Sequence, residues 1–300
     1  MPRYRKSSGK RFWFYIVTII AVIFASFATT TLPETIRTAT QSGSLEVTFI
    51  DVGQGDSVLI ETPEGETILI DGGEFDTYES HLEPFLGSKD IDKVDTAVVT
   101  HYHSDHCGGI YELVSKGKAA KLVLPNYEDT DTTRSGLESV AKSARTETEY
   151  VAKGDFLKND CKDLTIEVLH PKEGGLSGNN FHNNSSLVLW VKYFDTSFLI
   201  TGDIEARAEK EIIKTYDIEC DVLKVPHHGS STSSSKKFLD AANPTYAIIS
   251  SGEDNSYGHP HYEVLERLEN DDIRIYNTAH DGNITFYLNY DGIRDIKFSK

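Results

Sequence analysis

The sequence predicts an α/β fold with a two-sheet core and helices packed outside it. Two observations carry that expectation. Short apolar runs of strand length recur from Leu45 to the end of the chain, separated by segments whose apolar residues return at helical spacing. Some of these strands are joined by tight turns and others by helices, a mixture that a purely doubly wound parallel sheet does not contain.

Taken in order, LEVTFI, SVLIE and TILID (residues 45–71) read as strands joined by glycine-containing turns, with TPEGE a hairpin connection. DTAVVT (95–100) is a buried strand, GGIYELVSKG a short helix, AKLVLP a strand, and 134–145 a helix. LTIEVL, SLVLWVKY and SFLIT return to strands, the last two turning at Phe194-Asp195. IEARAEKEIIKTY and HYEVLERLEN have helical spacing, while CDVLKV, YAIIS and IRIY are strands, and GNITFYLN with IRDIKF closes the chain as a hairpin. No repeat or linker interrupts the body, so 45–300 reads as one domain. The stretch 171–184, rich in Gly and Asn, is its least structured piece.

Composition narrows the function classes. At 300 residues, 38% hydrophobic and 26% charged, the chain is ordinary globular material. Its formal charge is −17, but the first eleven residues hold five of the 30 basic side chains and none of the 47 acids, leaving the rest at 25 against 47, or −22. An acidic body repels polyanions at long range, which excludes a bulk nucleic-acid-binding surface. Cys107, Cys161 and Cys220 are scattered and odd in number, with no CxxC pair, so neither a disulfide framework nor a cysteine zinc knuckle is expected.

Residues 1–11 form a basic head, expected to stay in the cytoplasm, and 12–33 carry no charge. The strongly apolar part, Phe12 to Ala28, approaches the ~17 to 25 residues that cross a bilayer as a helix. Its length favours a retained anchor; a signal peptide cleaved near Ser26-Phe27-Ala28 is the alternative. In either case 34–44 is a flexible linker and the body lies outside the cytoplasm, as a single-pass membrane protein or a secreted one.

VVTHYHSDHCGGI (98–110) crowds His101, His103, Asp105 and His106 onto six positions after an apolar strand. In an extended segment His101 and His103 point the same way and can face one cation, with Asp105 continuing the row and His106 serving a second position. Imidazole and carboxylate suit zinc, with manganese and iron as alternatives. Two further strand ends offer ligands. FLITGDIE ends on Asp203, whose carboxylate can bridge two cations; its plainer role is a helix N-cap. LKVPHHGSS carries His227 and His228, for which a merely polar loop is the competing reading. NSYGHPH adds His259, and SSTSSSKK is either a solvated loop or a source of hydroxyls and cations for a phosphate.

THYHSDHCGG matches the HxHxDH signature of the metallo-β-lactamase-fold hydrolases. FIDVGQGDSVLIETPEGETILIDGG, NNSSLVLWVKYFDTSFLITGD, LKVPHHGSS and SGEDNSYGHP resemble the branch fused to the bacterial competence DNA-uptake channel, the ComEC family, over about residues 45 to 288. The resemblance implies an αββα sandwich of two mixed sheets and two divalent ions, usually zinc. It implies His101 and His103 on the first ion, Asp105 and His106 on the second, and Asp203 as bridge. His228 would complete the set, with His227 beside it as acid or substrate contact, although the two could exchange roles. His259 would protonate a leaving group or hold a phosphate, and Asp71 of LIDGG would orient the ligand loop. Many lactamase-fold enzymes place a histidine before the bridging aspartate; here that zone offers His182 or Asn183.

Metal-activated water, with Asp105, His227 and His259 as catalytic side chains, makes a tethered phosphodiesterase or nuclease the leading expectation, single-stranded DNA being one substrate. With one apolar span rather than a multi-span channel, no transport role is expected, and no protein partner is inferable. A phosphorylcholine esterase is the second reading, because an acidic, tyrosine-rich body suits a cationic head group. A binding module with structural metals is the third.

Overall fold

The computed structural model describes residues 44–128 and 132–300. The basic head, the apolar segment and all but the last residue of the linker expected over 1–44 lie outside the described residues. Among the described residues, no helix is long and apolar enough to cross a membrane.

Fourteen strands are present among the described residues: β1 (Leu45–Phe49), β2 (Val58–Glu61), β3 (Thr67–Ile70), β4 (Val94–Val98), β5 (Ala119–Pro125), β6 (Glu147–Val151), β7 (Leu164–His170), β8 (Val188–Tyr193), β9 (Thr196–Ile200), β10 (Val222–Lys224), β11 (Tyr246–Ile249), β12 (Arg274–Asn277), β13 (Ile284–Asn289) and β14 (Gly292–Phe298). They form an 8-stranded sheet, β14-β13-β1-β2-β3-β4-β5-β6, and a 6-stranded sheet, β12-β11-β10-β9-β8-β7. Both are mixed. Hairpin pairs β1–β2 and β2–β3 give way to parallel pairs β3–β4 and β4–β5, and the hairpin β8–β9 to parallel β9–β10 and β10–β11.

The side-chain period of two explains why so many strands are apolar on every residue. In β2, Val58 and Ile60 join the core between the sheets while Leu59 packs outward under helices; β9 repeats this with Phe198 and Ile200 inward and Leu199 outward. Helices Ser104–Ser115 and Thr133–Ala144 cover the first sheet, and Ala206–Ile212, Lys236–Ala242 and Tyr262–Asn270 the second. The result is the expected αββα arrangement.

Several local expectations need correction. The helix after the histidine cluster begins at Ser104, inside the motif, with His103 extended just before it. Asp105 therefore sits on the first helical turn, where the helix dipole favours a carboxylate. β6 was not expected because ETEYV lies at the sheet edge with little apolar content. Helix Lys236–Ala242 was hidden in the serine run, whose Ser235 caps it. IEARAEKEIIKTY keeps its helix over Ala206–Ile212, with Glu205 rather than Asp203 at the cap position. All three cysteines are free and buried.

The parallel strands matter most for function. The C-terminal ends of β3, β4, β9, β10 and β11 lead into Asp71, His101, Asp203, His228 and Ser250, the edge where α/β sheets concentrate their sites.

Candidate metal centre

The three distant loops converge. The ligand atoms of His101, His103 and Asp203 lie within 4.8 Å of one another, as do those of Asp56, His106, Asp203 and His228, so Asp203 belongs to both groups. Its Oδ1 is 3.1 Å from His106 Nε2 and 3.6 Å from His228 Nε2, while its Oδ2 is 3.9 Å from His101 Nε2. His101 Nε2 and His103 Nδ1 are 3.1 Å apart, and His228 Nε2 is 3.2 Å from Asp105 Oδ2. Ligands held ~2.0 to 2.1 Å from a tetrahedral ion stand about 3.3 Å from each other, so these spacings fit divalent cations. His106 Nε2, His228 Nε2 and Asp203 Oδ1 are also buried without a hydrogen-bond partner, which orphaned atoms turned toward a cation would be.

The ring tautomers follow from hydrogen-bond logic. His228 Nδ1 is 2.9 Å from the Ser250 carbonyl, which only accepts, so Nδ1 carries the proton and Nε2 keeps its lone pair. His106 Nδ1 donates to Asp71 Oδ2 at 2.8 Å. The Thr100 hydroxyl donates to the same Asp71 oxygen at 2.6 Å, so at 3.2 Å it accepts from His101 Nδ1. Three Nε2 lone pairs are thereby aimed inward, and Asp71 orients two of the rings.

Charge makes the same demand. Asp56, Asp71, Asp105 and Asp203 gather around His106 and His228, and the one ammonium in contact with these carboxylates, Lys224, pairs with Asp56 alone. Burial opposes a charge on His106, yet Asp203, Asp105 and Asp71 outweigh it and raise its pKa. His228 is likewise pushed up to about 10 against burial, by Asp203 and Asp56. Burial raises Asp203, but His106 and His228 prevail and hold it well below the usual carboxylate range. The carboxylates thus favour positive charge at these rings, the charge that bound cations would bring.

The backbone is shaped for this approach. Gly72 N donates to the His106 carbonyl at 2.8 Å and Gly109 N to the Gly73 carbonyl at 2.9 Å. A Cβ on Gly109 would run into the Gly72 carbonyl. Asp71, His227 and His228 adopt left-handed φ of 57°, 52° and 54°, a strained conformation for non-glycine residues.

The remaining expected residues line the mouth. A cavity of about 340 Å³ is bordered by His103, Asp203, His227, His228, Asn183 and His259. His227 is partly exposed, with Nε2 3.7 Å from Asp203 Oδ2 and Nδ1 3.8 Å from Glu205 Oε1. His259 stacks on His228 at a centroid distance of 6.1 Å and on Tyr257 at 5.7 Å. Burial and then the neighbouring His228 and His227 push its pKa down to about 4. Of the two open candidates, Asn183 faces the cavity, 3.4 Å from His227, while the His182 ring packs against His103 at a centroid distance of 5.4 Å and among Phe181, Tyr127 and Tyr102. The serine run is solvated only in part: Ser231, Thr232, Lys236 and Lys237 are exposed, Ser230, Ser233 and Ser234 are buried, and Lys236 pairs with Asp240 and Asp271. Sequence reasoning missed Asp56 and Lys224; the charged residue inside the apolar run VLKV was the available signal.

The model of the Metallo-beta-lactamase superfamily matches residues 50–253. The chain is 37% identical over 264 residues to ComE operon protein 3 of Bacillus subtilis (strain 168), covering 80% of this chain and 33% of that protein. It is 32% identical over 250 residues to Competence protein ComA of Neisseria gonorrhoeae, covering 83% of this chain and 33% of that protein. The chain thus spans 33% of the length of either relative. Among solved structures, the CmlA beta-hydroxylase E377D mutant shares the fold with a TM-score of 0.55 at 12% identity, over 81% of this chain and 54% of that one.

Proposed function

Because the chain belongs to the metallo-β-lactamase superfamily, we propose that the cleft around Asp203 is the active site of a metal-dependent hydrolase that holds two divalent cations and cleaves phosphodiesters. Asp203 carries this reading, since its two oxygens face two separate sets of ligand atoms. His101, His103 and Asp203 would hold the first cation, and Asp105, His106, His228 and Asp203 the second. Zinc suits these donors best, and manganese or iron can replace it. When bound, the cations lower the pKa of water and neutralise phosphoryl oxygens. His227 and His259 border the cavity: His227 moves a proton toward the departing alkoxide, and His259, kept neutral by its lowered pKa, holds a substrate oxygen through its ring N–H. Asn183 offers an amide to the first cation's side of the cleft.

The same reading keeps the domain outside the cytoplasm, tethered by 12–33, where single-stranded DNA is one accessible polymer. Protease digestion of intact cells expressing the full chain tests this: degradation of the body supports it, and protection refutes it.

One observation favours a second substrate. Tyr257 and Glu74 stand at the cavity mouth, and no lysine or arginine is among the residues lining it. Such a rim suits a cationic choline ester better than a polyanion. The full chain with measured metal content, assayed on bis-p-nitrophenyl phosphate, p-nitrophenyl phosphorylcholine, nitrocefin and single-stranded DNA, separates these readings. Turnover of a phosphodiester that disappears in Asp203→Ala supports the proposal. Two equivalents of metal with no turnover of any substrate would favour a binding module.

A further inference from the structure

Lys224 is an anomaly in its strand. It ends β10 with the same inward parity as Val222, points between the sheets, and is completely buried. Its Nζ donates to the Val225 carbonyl at 3.0 Å and pairs with Asp56 Oδ2 at 2.7 Å. The other Asp56 oxygen, Oδ1, is 3.2 Å from His228 Nδ1, and Oδ2 is 3.9 Å from His106 Nδ1. The pair therefore lies behind two imidazoles whose opposite edges face Asp203. A buried ion pair seldom outperforms apolar residues of the same volume in stability, so stability alone does not account for it.

We infer that Asp56 and Lys224 are positioning residues for the second cation, Asp56 by backing the His228 ring and Lys224 by keeping Asp56 out of the coordination sphere. This rests on the two-cation reading of the cleft. The His228 Nδ1 proton goes to the Ser250 carbonyl at 2.9 Å, and Asp56 Oδ1 places a negative charge beside that same N–H edge, which makes the opposite nitrogen a better donor. Asp56 already stands within ligand range of His106, Asp203 and His228, so it would compete with Asp105 if both its oxygens were free. Lys224 occupies one of them. The Asp56 backbone ties the same support to the ligand loop: its N–H donates to the Asp105 carbonyl at 3.1 Å, and its carbonyl accepts from Gly73 N at 2.9 Å.

The test is competitive titration of the metal-free full chain with Zn²⁺, comparing the parent with Asp56→Asn/Lys224→Met, which removes both charges together at similar volume. The parent is expected to bind two equivalents. The double variant should retain the first at parental affinity and bind the second about 10- to 100-fold more weakly. A folded double variant that binds both equivalents like the parent overturns the inference while leaving the two-cation reading intact. A parent that binds fewer than two equivalents removes that reading and the inference with it. Should the double variant fail to fold, Asp56→Asn alone gives the same readout: a second equivalent bound about 10- to 100-fold more weakly, with the first unchanged, supports the inference, and parental affinity for both equivalents rejects it.

Discussion

His106 Nδ1 donates to Asp71 Oδ2 at 2.8 Å, and both side chains are buried to within 1% of complete exclusion from solvent. Asp71 also accepts from the Thr100 backbone N–H at 2.7 Å, so one carboxylate locks the end of β4 and a ring of the metal centre together. Asp71→Asn would offer an amide N–H or a weaker acceptor to a ring N–H. Affinity for Zn²⁺ is expected to fall about 10- to 100-fold, measured by chelator competition, with the circular dichroism spectrum unchanged. Parental affinity would deny Asp71 its orienting role.

The contact of Gly72 with Gly109 predicts an asymmetry between two glycines. Gly109→Ala forces a methyl group against the Gly72 carbonyl and should cost roughly 1 to 3 kcal/mol of unfolding free energy. Gly87, in helix Glu83–Ser88, has open space around its Cβ position, and Gly87→Ala should stabilise by about 0.5 to 1 kcal/mol. Urea unfolding of both variants measures the difference.

The adjacent histidines of the PHHG turn should separate by readout. His228 is buried with Nε2 beside Asp105 and Asp203, whereas His227 is partly exposed at the cavity mouth. His228→Ala is expected to lose an equivalent of bound zinc. His227→Ala should keep both equivalents and lower kcat by about 10²- to 10⁴-fold on a phosphodiester substrate. Metal analysis with steady-state kinetics on the two variants detects a reversal of these roles.

The raised pKa values of His106 and His228 predict a pH window for the metal-free protein. Both are raised in the folded state, so their contribution to stability is fully present below about pH 6.5, the ordinary histidine value, and is lost as pH rises toward the folded value, about 10 for His228. Metal-free protein should therefore unfold more easily at pH 9 than at pH 6.5 in chemical denaturation. Zinc, which replaces those protons, should flatten the profile.

Much of this was legible in the sequence because ligands followed buried strands. The clustered residues 101–106, Asp203 and the PHHG pair each stand where an apolar run ends, and the period of two exposed them. The helix start at Ser104 was harder to see, since the apolar spacing begins only after Gly108-Gly109 and the ligand cluster itself carries no helical pattern; the packing of those glycines on Gly72 and Gly73 is visible only in the fold. Asp56 and Lys224 were missed for a physical reason: each is isolated in its own stretch, and only the approach of β1's loop to the end of β10 makes them a pair. His182 and Asn183 both stand beside the site: the His182 ring packs against His103 as well as its aromatic neighbours, and Asn183 lines the cavity.

Anomalous diffraction from crystals of the zinc-loaded protein tests the central claim most directly. Two peaks about 3.5 to 4 Å apart are expected, one on each side of the Asp203 carboxylate, the first beside His101 and His103 and the second beside Asp105, His106 and His228. A zinc-loaded crystal with no peak at Asp203, or with a single peak that Asp203 does not touch, would contradict it.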